Sequence, residues 1–290
     1  MDLGERDPVT GRFTTGHEWN GIKELDTPIP RVVLFFLAST FLFSVVYWIF
    51  MPAFPLWSTY TRGLLGIDQR NVVTRQVEEA AAARGPWADR IASTSFSEIQ
   101  KDVELMRIVR KSGRTLFGDN CAVCHGVNGT GNKGYPNLAA RTWLWGGTPE
   151  QLAETLRVGI NSGHGKTRVS EMIGFGRTGI LQWEEVNNVA AFVLSLSGRD
   201  AGRAGNADAG RKLYADNCAT CHGASGKGDP KVGAPDLTDR NWIYGGDLQS
   251  VVTSISDGRQ GHMPHWEQRL TAVERKILAL YVLELGEGGR

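Results

Sequence analysis

Two five-residue motifs of the form Cys-x-x-Cys-His most constrain what this chain can fold into. They are CAVCH at residues 121–125 and CATCH at residues 218–222, and together they use all 4 cysteines of the 290-residue sequence. Two thiols three residues apart reach the two vinyl groups of one porphyrin, and the adjacent histidine is left to bind the iron. The motifs therefore predict two covalently bound haem c groups. The predicted attachment residues and proximal iron ligands are Cys121, Cys124 and His125 for the first haem, and Cys218, Cys221 and His222 for the second.

Other chemistries of the Cys-x-x-Cys pair explain the motifs less well. A pair of this kind also occurs in zinc sites and in redox-active dithiols. Zinc would need four ligands per metal and would leave both motif histidines unexplained. Because two haems would use every cysteine, we predict no disulfide bonds. The formal net charge of +1 gives no strong basic field, so we expect no nucleic acid among the partners.

An uncharged apolar run at residues 32–54, VVLFFLASTFLFSVVYWIFMPAF, predicts a single transmembrane helix. At about 1.5 Å per residue it can cross a hydrocarbon core of roughly 30 Å. A cleaved signal peptide is a weaker alternative because a long, mostly polar segment precedes the run, and a buried core helix is weaker still. Basic residues flank both ends, so charge does not orient the helix. Haem c is attached outside the bacterial cytoplasm, which predicts an inner-membrane protein with a cytoplasmic N-terminus and periplasmic haem domains.

The two haem motifs lie inside a longer internal duplication. Residues 113–131 align without gaps to residues 210–228, and residues 137–147 align to residues 236–246. Each repeat then ends in an apolar-periodic segment that predicts a terminal helix, and no sustained alternation predicts a sheet. The predicted organisation is a cytoplasmic segment at residues 1–31, a transmembrane helix at 32–54, a partly helical periplasmic linker at 55–110, and two haem domains at 111–200 and 201–290.

Each repeat carries glycine, an aromatic residue and cysteine at a spacing of four, which puts them on one helix face. The residues are Gly113, Phe117 and Cys121 in the first repeat, and Gly210, Tyr214 and Cys218 in the second. This pattern resembles class I cytochrome c domains, in which such a helix crosses the terminal helix. The resemblance implies a mainly α fold, with one N-terminal transmembrane helix followed by two tandem class I cytochrome c domains. We expect the two repeats to fold separately.

An electron-transfer haem needs a sixth iron ligand, and a methionine thioether there raises the potential. Met263 lies in GHMP, in the position and Met-Pro form of class I cytochromes, and is the predicted ligand of the second unit. Met172 is the predicted ligand of the first unit, although no proline follows it. Met106 precedes the first motif and is expected to pack in a helix. The alternative donors are His164 in the first loop, and His262 and His265 in the second.

The same resemblance implies residues that support the haems. Pro136 and Pro235 match the family proline whose carbonyl holds the proximal imidazole and so fixes its orientation. Four further residues recur in both repeats and are expected to hydrogen-bond the haem propionates, with charge-assisted bonds from the arginines. They are Arg141, Trp143, Arg240 and Trp242. The two tryptophans are equally compatible with a plain role as core aromatics.

The N-terminal string TTGHEWNGI at residues 14–22, followed by PIPR and the apolar run, resembles the start of the dihaem subunit of cbb3-type cytochrome c oxidases (CcoP). The string TRVSEM at residues 167–172 matches a loop of the same family. The resemblance implies that electrons pass from a donor cytochrome c through both haems to the monohaem and catalytic subunits. There, oxygen is reduced to water with proton pumping. The implied partners are these two subunits, the donor cytochrome c and membrane lipid.

The chain itself is expected to be a non-catalytic part of that enzyme. A copper centre beside a high-spin haem would need clustered histidines within several transmembrane helices, and the sequence offers none. One alternative is a free-standing membrane-tethered dihaem carrier, or the cytochrome subunit of a periplasmic dehydrogenase. Another is a dihaem peroxidase, which would need one haem with an open or switchable site. The two predicted methionine ligands argue against the peroxidase.

Overall fold

The structure, a computed structural model, describes residues 4–202 and 204–286 and is mainly helical. The chain divides into two compact units between residues 83 and 84. The first unit contains the apolar helix, and the second contains both Cys-x-x-Cys-His motifs. The prediction of a mainly α-helical chain with one N-terminal apolar helix is confirmed.

Two short hairpins flank the apolar helix, which corrects the expectation of no sheet. The turn of the first consists of Asn20 and Gly21, with φ of 51° and 85°. An Asn-Gly pair with two positive φ angles is the type I′ turn that joins closely paired strands. Two of the four strands have only 2 residues each, and the sequence TTGHEW of the first strand does not alternate between apolar and polar residues. The hairpins pair β1 (Thr14–Trp19) with β2 (Ile22–Leu25), and β3 (Pro55–Leu56) with β4 (Thr59–Tyr60).

The apolar helix, α1, spans Arg31–Phe50 and by length and composition can cross a membrane. Its 20 residues correspond to about 30 Å at the usual helical rise. None of its residues is buried within the described part of the chain. The helix ends before the apolar run does, because Met51 is extended (φ −113°, ψ 158°) and precedes Pro52. A residue before proline is disfavoured in the helical region.

Two helices fill most of the predicted linker at residues 55–110. α2 (Gln69–Ser93) covers the alanine-rich stretch that the sequence predicted as helical. α3 (Phe96–Lys101) begins with a capping box, in which Ser95 and Glu98 satisfy each other's free backbone amides. The side chain of Ile99 is fully buried, so the end of this segment packs into the second unit.

The two repeats have the same order of helices. The first contains α4 (Val103–Asn120), α5 (Ala122–His125), a 3₁₀ turn (Leu138–Ala140), α6 (Pro149–Val158) and α7 (Trp183–Leu196). The second contains α8 (Ala207–Asn217), α9 (Ala219–His222), α10 (Leu248–Asp257) and α11 (Ala272–Leu285). In both repeats the haem motif therefore lies on a single helical turn that follows the first long helix.

The first helix of each repeat packs against the last helix of the other repeat. α4 packs against α11, and α8 packs against α7. At the first crossing the rings of Phe117 and Tyr281 lie 5.8 Å apart, and Arg110 forms a bidentate ion pair with Glu284. At the second crossing the rings of Phe192 and Tyr214 lie 5.1 Å apart. The expectation that the repeats fold separately was therefore wrong.

The short connection between the repeats explains this exchange. Only residues 197–206 separate α7 from α8, and helices joined by a short segment usually pack against each other. Once α7 packs against α8, the helix faces that still lack a partner are those of α4 and α11, and these two helices pack against each other. The terminal helices of the two repeats are similar enough that the sequence pattern alone does not choose between the two arrangements.

A pair of glycine substitutions on α4 tests this crossing. Gly113→Ala is expected to lower the free energy of unfolding of the second unit by about 1–3 kcal/mol, as overpacking usually does. A Cβ at this position would lie 2.6 Å from the Cβ of Tyr281 on α11. The control Gly118→Ala lies on the exposed side of the same helix with nothing within 4 Å, and it should raise that free energy by about 0.5–1 kcal/mol. Denaturant unfolding measures both, and equal effects would contradict the crossing.

Candidate functional site

Each Cys-x-x-Cys-His motif folds into one helical turn that brings its three reactive side chains together. In the first motif the backbone amide of His125 donates to the carbonyl of Cys121 at 3.0 Å, and the second motif repeats this bond between His222 and Cys218 at 3.0 Å. None of the four cysteines forms a disulfide bond. Burial, with a smaller contribution from the neighbouring thiol, raises the pKa of Cys121 to about 11 and that of Cys218 to about 11.

The two motif histidines are oriented by proline carbonyls. Nδ1–H of His125 donates to the carbonyl oxygen of Pro136 at 3.0 Å, and that of His222 donates to Pro235 at 3.1 Å. Burial lowers the pKa of both imidazoles, and the bond to the carbonyl offsets this only in part. The neutral ring is thus favoured, with Nδ1 protonated and the lone pair of Nε2 available to a metal.

The first motif opens onto an apolar cavity. His125 and Cys121 line it together with Pro136 and Trp143, which come from the same repeat. The opposite repeat contributes residues of α11 and the thioether of Met263. The other apolar residues of the lining include Phe117, Leu138, Leu156, Leu278 and Val282.

The second motif is also surrounded by residues of both repeats, with the roles of the repeats reversed. Cys218 and Tyr214 belong to a buried cluster that contains Val251 and Ile255 of α10. The first repeat contributes α7 residues to this cluster, and Met172 packs against it. Met172 therefore lies with the second motif, and Met263 with the first.

The positions of the two methionines differ from those expected from the sequence. From the sequence, Met172 was assigned to the first unit and Met263 to the second. In the structure, the backbone of Met263 exchanges two hydrogen bonds of 2.9 Å with Ile160, which follows α6 of the first repeat. Met172 exchanges two bonds of 2.8 Å with Arg259, which follows α10 of the second repeat. Each methionine loop is thus fixed to the other repeat, in line with the exchange of the helices.

The other methionines lie elsewhere. Met106 is buried in α4 in a separate cluster with Ile91, Ile99 and Val109. Met51 follows α1 in the first unit, and Met1 lies outside the described residues. These positions leave Met172 and Met263 as the methionines beside the two motifs within the described part of the chain.

The histidine alternatives are already engaged or exposed. Nε2 of His164 lies 2.8 Å from a carboxylate oxygen of Glu267, and its Nδ1 accepts the backbone N–H of Lys166 at 2.9 Å. The ring of His265 lies 5.6 Å from that of His164, and the side chain of His262 is exposed. None of the three lines the cavity of the first motif.

The four recurring arginine and tryptophan positions line one cleft between the repeats, of about 780 Å³. They are Arg141, Trp143, Arg240 and Trp242. Among the described residues, the buried indole N–H of Trp242 has no hydrogen-bond partner. Sequence reasoning missed Lys133 and Lys227, which also line the cleft. Their only signal was their place in the glycine-rich loops that follow the motifs.

These features fit a haem c group at each motif. At the first motif, Cys121, His125 and the thioether of Met263 line an apolar cavity, which suits a porphyrin and its iron. At the second motif, Cys218 lies in a buried apolar cluster against which Met172 packs. An unpartnered indole N–H and arginines at the cleft suit carboxylates such as the propionates. A buried N–H without a partner costs free energy, so a bound acceptor at this position would stabilise the protein.

Comparison with known protein families agrees with this assignment. Residues 11–58 match the N-terminal domain of cytochrome oxidase-cbb3, FixP, and this range contains the first hairpin and α1. Residues 111–197 match the cytochrome c family, and residues 205–282 match cytochrome c oxidase, cbb3-type, subunit III. The predictions of two cytochrome c domains and of two covalently bound haem c groups are confirmed.

Curated relatives are similar over almost the whole chain. A cbb3-type cytochrome c oxidase subunit FixP from Bradyrhizobium diazoefficiens is 45% identical over 289 residues, which are 99% of this chain and 99% of the relative. A subunit CcoP from Azospirillum brasilense is 42% identical over 295 residues, 99% of this chain and 100% of the relative. A CcoP from Cereibacter sphaeroides is 41% identical over 276 residues, 95% of each.

Proposed function

Because the chain belongs to the FixP/CcoP family of cbb3-type cytochrome c oxidase subunits, we propose that it carries electrons from a donor cytochrome c toward the catalytic subunit of such an oxidase. Each haem iron, when bound, takes up and releases one electron by alternating between Fe(III) and Fe(II). The observation that carries the proposal is the match of residues 11–58. Tandem cytochrome c domains alone would fit many electron-transfer systems.

The first haem is held by Cys121, Cys124 and His125 from the first repeat, and by Met263 from the second. This assignment is supported by the cavity that His125 and Met263 line together. It is also supported by the bonds that fix Met263 beside Ile160. A thioether sulfur is a soft ligand that favours reduced iron, and an apolar cavity that excludes water favours it further.

The second haem is held by Cys218, Cys221 and His222 from the second repeat, and by Met172 from the first. Support comes from the packing of Met172 against the cluster around Cys218. The backbone bonds between Met172 and Arg259 fix the loop in place without a proline after the methionine. The absence of that proline, a departure from the class I pattern, therefore does not prevent Met172 from acting as a ligand.

Donors at the cleft bind the propionates and orient the haems. The buried indole N–H of Trp242 is one donor, since no acceptor among the described residues forms a hydrogen bond with it. Trp143, Arg141 and Arg240 are the others, and all line the same cleft. The carbonyls of Pro136 and Pro235 hold the proximal rings. These side chains keep both haems fixed during electron transfer. A fixed haem lowers the reorganisation energy of each transfer.

The chain is membrane-anchored and does not itself reduce oxygen. α1 is the anchor, with the N-terminus in the cytoplasm and both haem domains in the periplasm, where haem c is attached. α1 contacts membrane lipid, since its side chains are apolar and exposed. Oxygen reduction and proton pumping belong to the catalytic subunit. The monohaem subunit receives the electrons that leave this chain.

Replacement of residues 14–22 by a neutral linker tests the proposal. Trp19 and Ile22 form a cross-strand pair at the tip of the first hairpin, and their side chains are exposed (71% and 74%). Neither residue has a role in binding haem. Both haems should remain attached and the chain should stay in the membrane, because α1 supplies the anchor. Assembly of the oxidase and oxygen uptake should fall, as measured by native gels and an oxygen electrode.

The matched control for this replacement is Val9→Ala. Val9 is 90% exposed and lies outside the replaced segment, so its substitution should leave assembly unchanged. The double variant Trp19→Ala/Ile22→Ala should cause a smaller defect in the same direction as the full replacement. Full assembly and normal oxygen uptake with residues 14–22 replaced would contradict the proposed role in an oxidase and favour a free-standing carrier.

A further inference from the structure

The side chain of Asn161 contacts both methionine-bearing loops. Its amide nitrogen, Nδ2, donates to the carbonyl of Ser170 at 2.7 Å and to the carbonyl of Gly261 at 2.7 Å. Its oxygen, Oδ1, accepts the backbone N–H of Ser170 at 3.0 Å. Ser170 lies two residues before Met172, and Gly261 lies two residues before Met263. One amide group therefore holds the equivalent point of both loops.

The backbone conformation at position 161 favours asparagine. Its φ of 48° is left-handed, a region in which asparagine is one of the few favoured residues other than glycine. Its own N–H donates to the carbonyl of Arg168 at 2.7 Å, which ties the start of the loop to the segment before Ser170. The equivalent residue after α10 is Gln260, and its side chain is exposed. The two repeats thus use one asparagine, from the first repeat, for two loops.

We infer that Asn161 is a positioning residue that holds Met172 and Met263 on their irons together and so couples the ligation of the two haems. This inference rests on the cross-paired ligation proposed above. Asn161 does not line the cavity of the first motif; it acts through the two loops. Loss of its amide should loosen both thioethers at once, although neither methionine is changed.

Imidazole binding to the oxidised dihaem protein measures this effect. Imidazole displaces a methionine from Fe(III), so its affinity reports how readily each loop lets its thioether leave the iron. Asn161→Gly keeps the left-handed backbone and removes the amide. It should raise the affinity for imidazole about tenfold at both haems, the change expected from the loss of hydrogen bonds of ordinary strength.

A second substitution and a matched control sharpen the test. Asn161→Asp keeps the acceptor for Ser170 but places an oxygen against two carbonyls, so it should act in the same direction as Asn161→Gly. Gln260→Gly introduces the same flexibility at the equivalent position and should leave both affinities unchanged. A response at only one haem, no response, or an equal response to Gln260→Gly would overturn the inference.

The same titration separates this inference from the ligand assignment. Met172→Leu and Met263→Leu should each raise the imidazole affinity at one haem, because each removes a competing thioether. If neither does so, the proposed ligation fails and the inference fails with it. If both do so and Asn161→Gly does not, only the role of Asn161 is overturned. The absorbance band of Met–Fe(III) bonding, recorded before imidazole is added, should weaken for both haems in Asn161→Gly.

Discussion

Replacing Met263 by histidine is expected to lower the reduction potential of the first haem, attached at Cys121 and Cys124, and to leave the second haem unchanged. A thioether favours Fe(II) more than a second imidazole does. The shift should be on the order of 0.1–0.3 V, within the roughly 0.8 V range over which axial ligands set haem potentials. The weak absorbance band of Met–Fe(III) bonding should fall by half. Spectroelectrochemical titration of the dihaem protein measures both quantities.

The control for this substitution is Met106→Leu. Met106 is buried in a cluster apart from both motifs, so this volume-conserving change should leave both potentials and the band intact. Met172→His should shift the other potential, that of the second haem. If Met263→His shifts neither potential, Met263 is not an iron ligand.

Removal of both thiols of the first motif, Cys121→Ala with Cys124→Ala, should abolish electron delivery. The chain should lose one covalent haem and keep the other, because each attachment site lies within a single helical turn. Haem staining should therefore fall by half. Oxygen uptake by the assembled oxidase should fall to background, since the path from the donor is interrupted. The matching variant of the second motif, with Cys218 and Cys221 replaced, should cause the same losses, because both haems lie on the path.

The same thiol variant reports on the exchange of helices. The cavity of the first haem is lined by residues of both repeats, so loss of the haem removes apolar contacts from both. Thermal unfolding should remain one cooperative transition at a lower temperature. Two separate transitions, with only one of them shifted, would contradict the exchange. Unchanged haem staining would contradict the attachment sites themselves.

The single potential left in the thiol variant identifies the shifted haem. It belongs to the second haem, and it should match the potential that Met263→His leaves in place. The remaining potential could instead equal the wild-type value of the potential that Met263→His lowers. In that case each methionine binds the haem of its own repeat.

The chemistry of the two haem motifs was predictable from the sequence because it is local. Two thiols and a histidine on one turn need no tertiary information, and neither does a charge-free helix such as α1. The prolines that hold the proximal rings were implied by the resemblance to class I cytochromes, and the structure places both carbonyls within hydrogen-bond distance. The Asn20–Gly21 turn was also a readable signal for a hairpin, and it was missed.

The position of each methionine beside the haem motif of the other repeat was not predictable because it depends on which helices meet. Both terminal helices, α7 and α11, could pack against a glycine-aromatic-cysteine face, so the repeat pattern is satisfied by either arrangement. The short segment at residues 197–206 decides between them, by keeping α7 beside α8. Asn161 was missed for the same reason: its three side-chain bonds join segments that are distant in sequence.

The most direct test of the cross-paired haems is to locate the Met263 methyl group in the reduced protein. Protein with isotope-labelled methionine methyl groups gives one resonance per axial thioether, strongly shifted by the ring current of its haem. Nuclear Overhauser contacts from the Met263 methyl to the first haem, the one bonded to Cys121, and to Leu278 are predicted. Contacts from that methyl to the second haem, bonded to Cys218, and to Tyr214 would contradict the account.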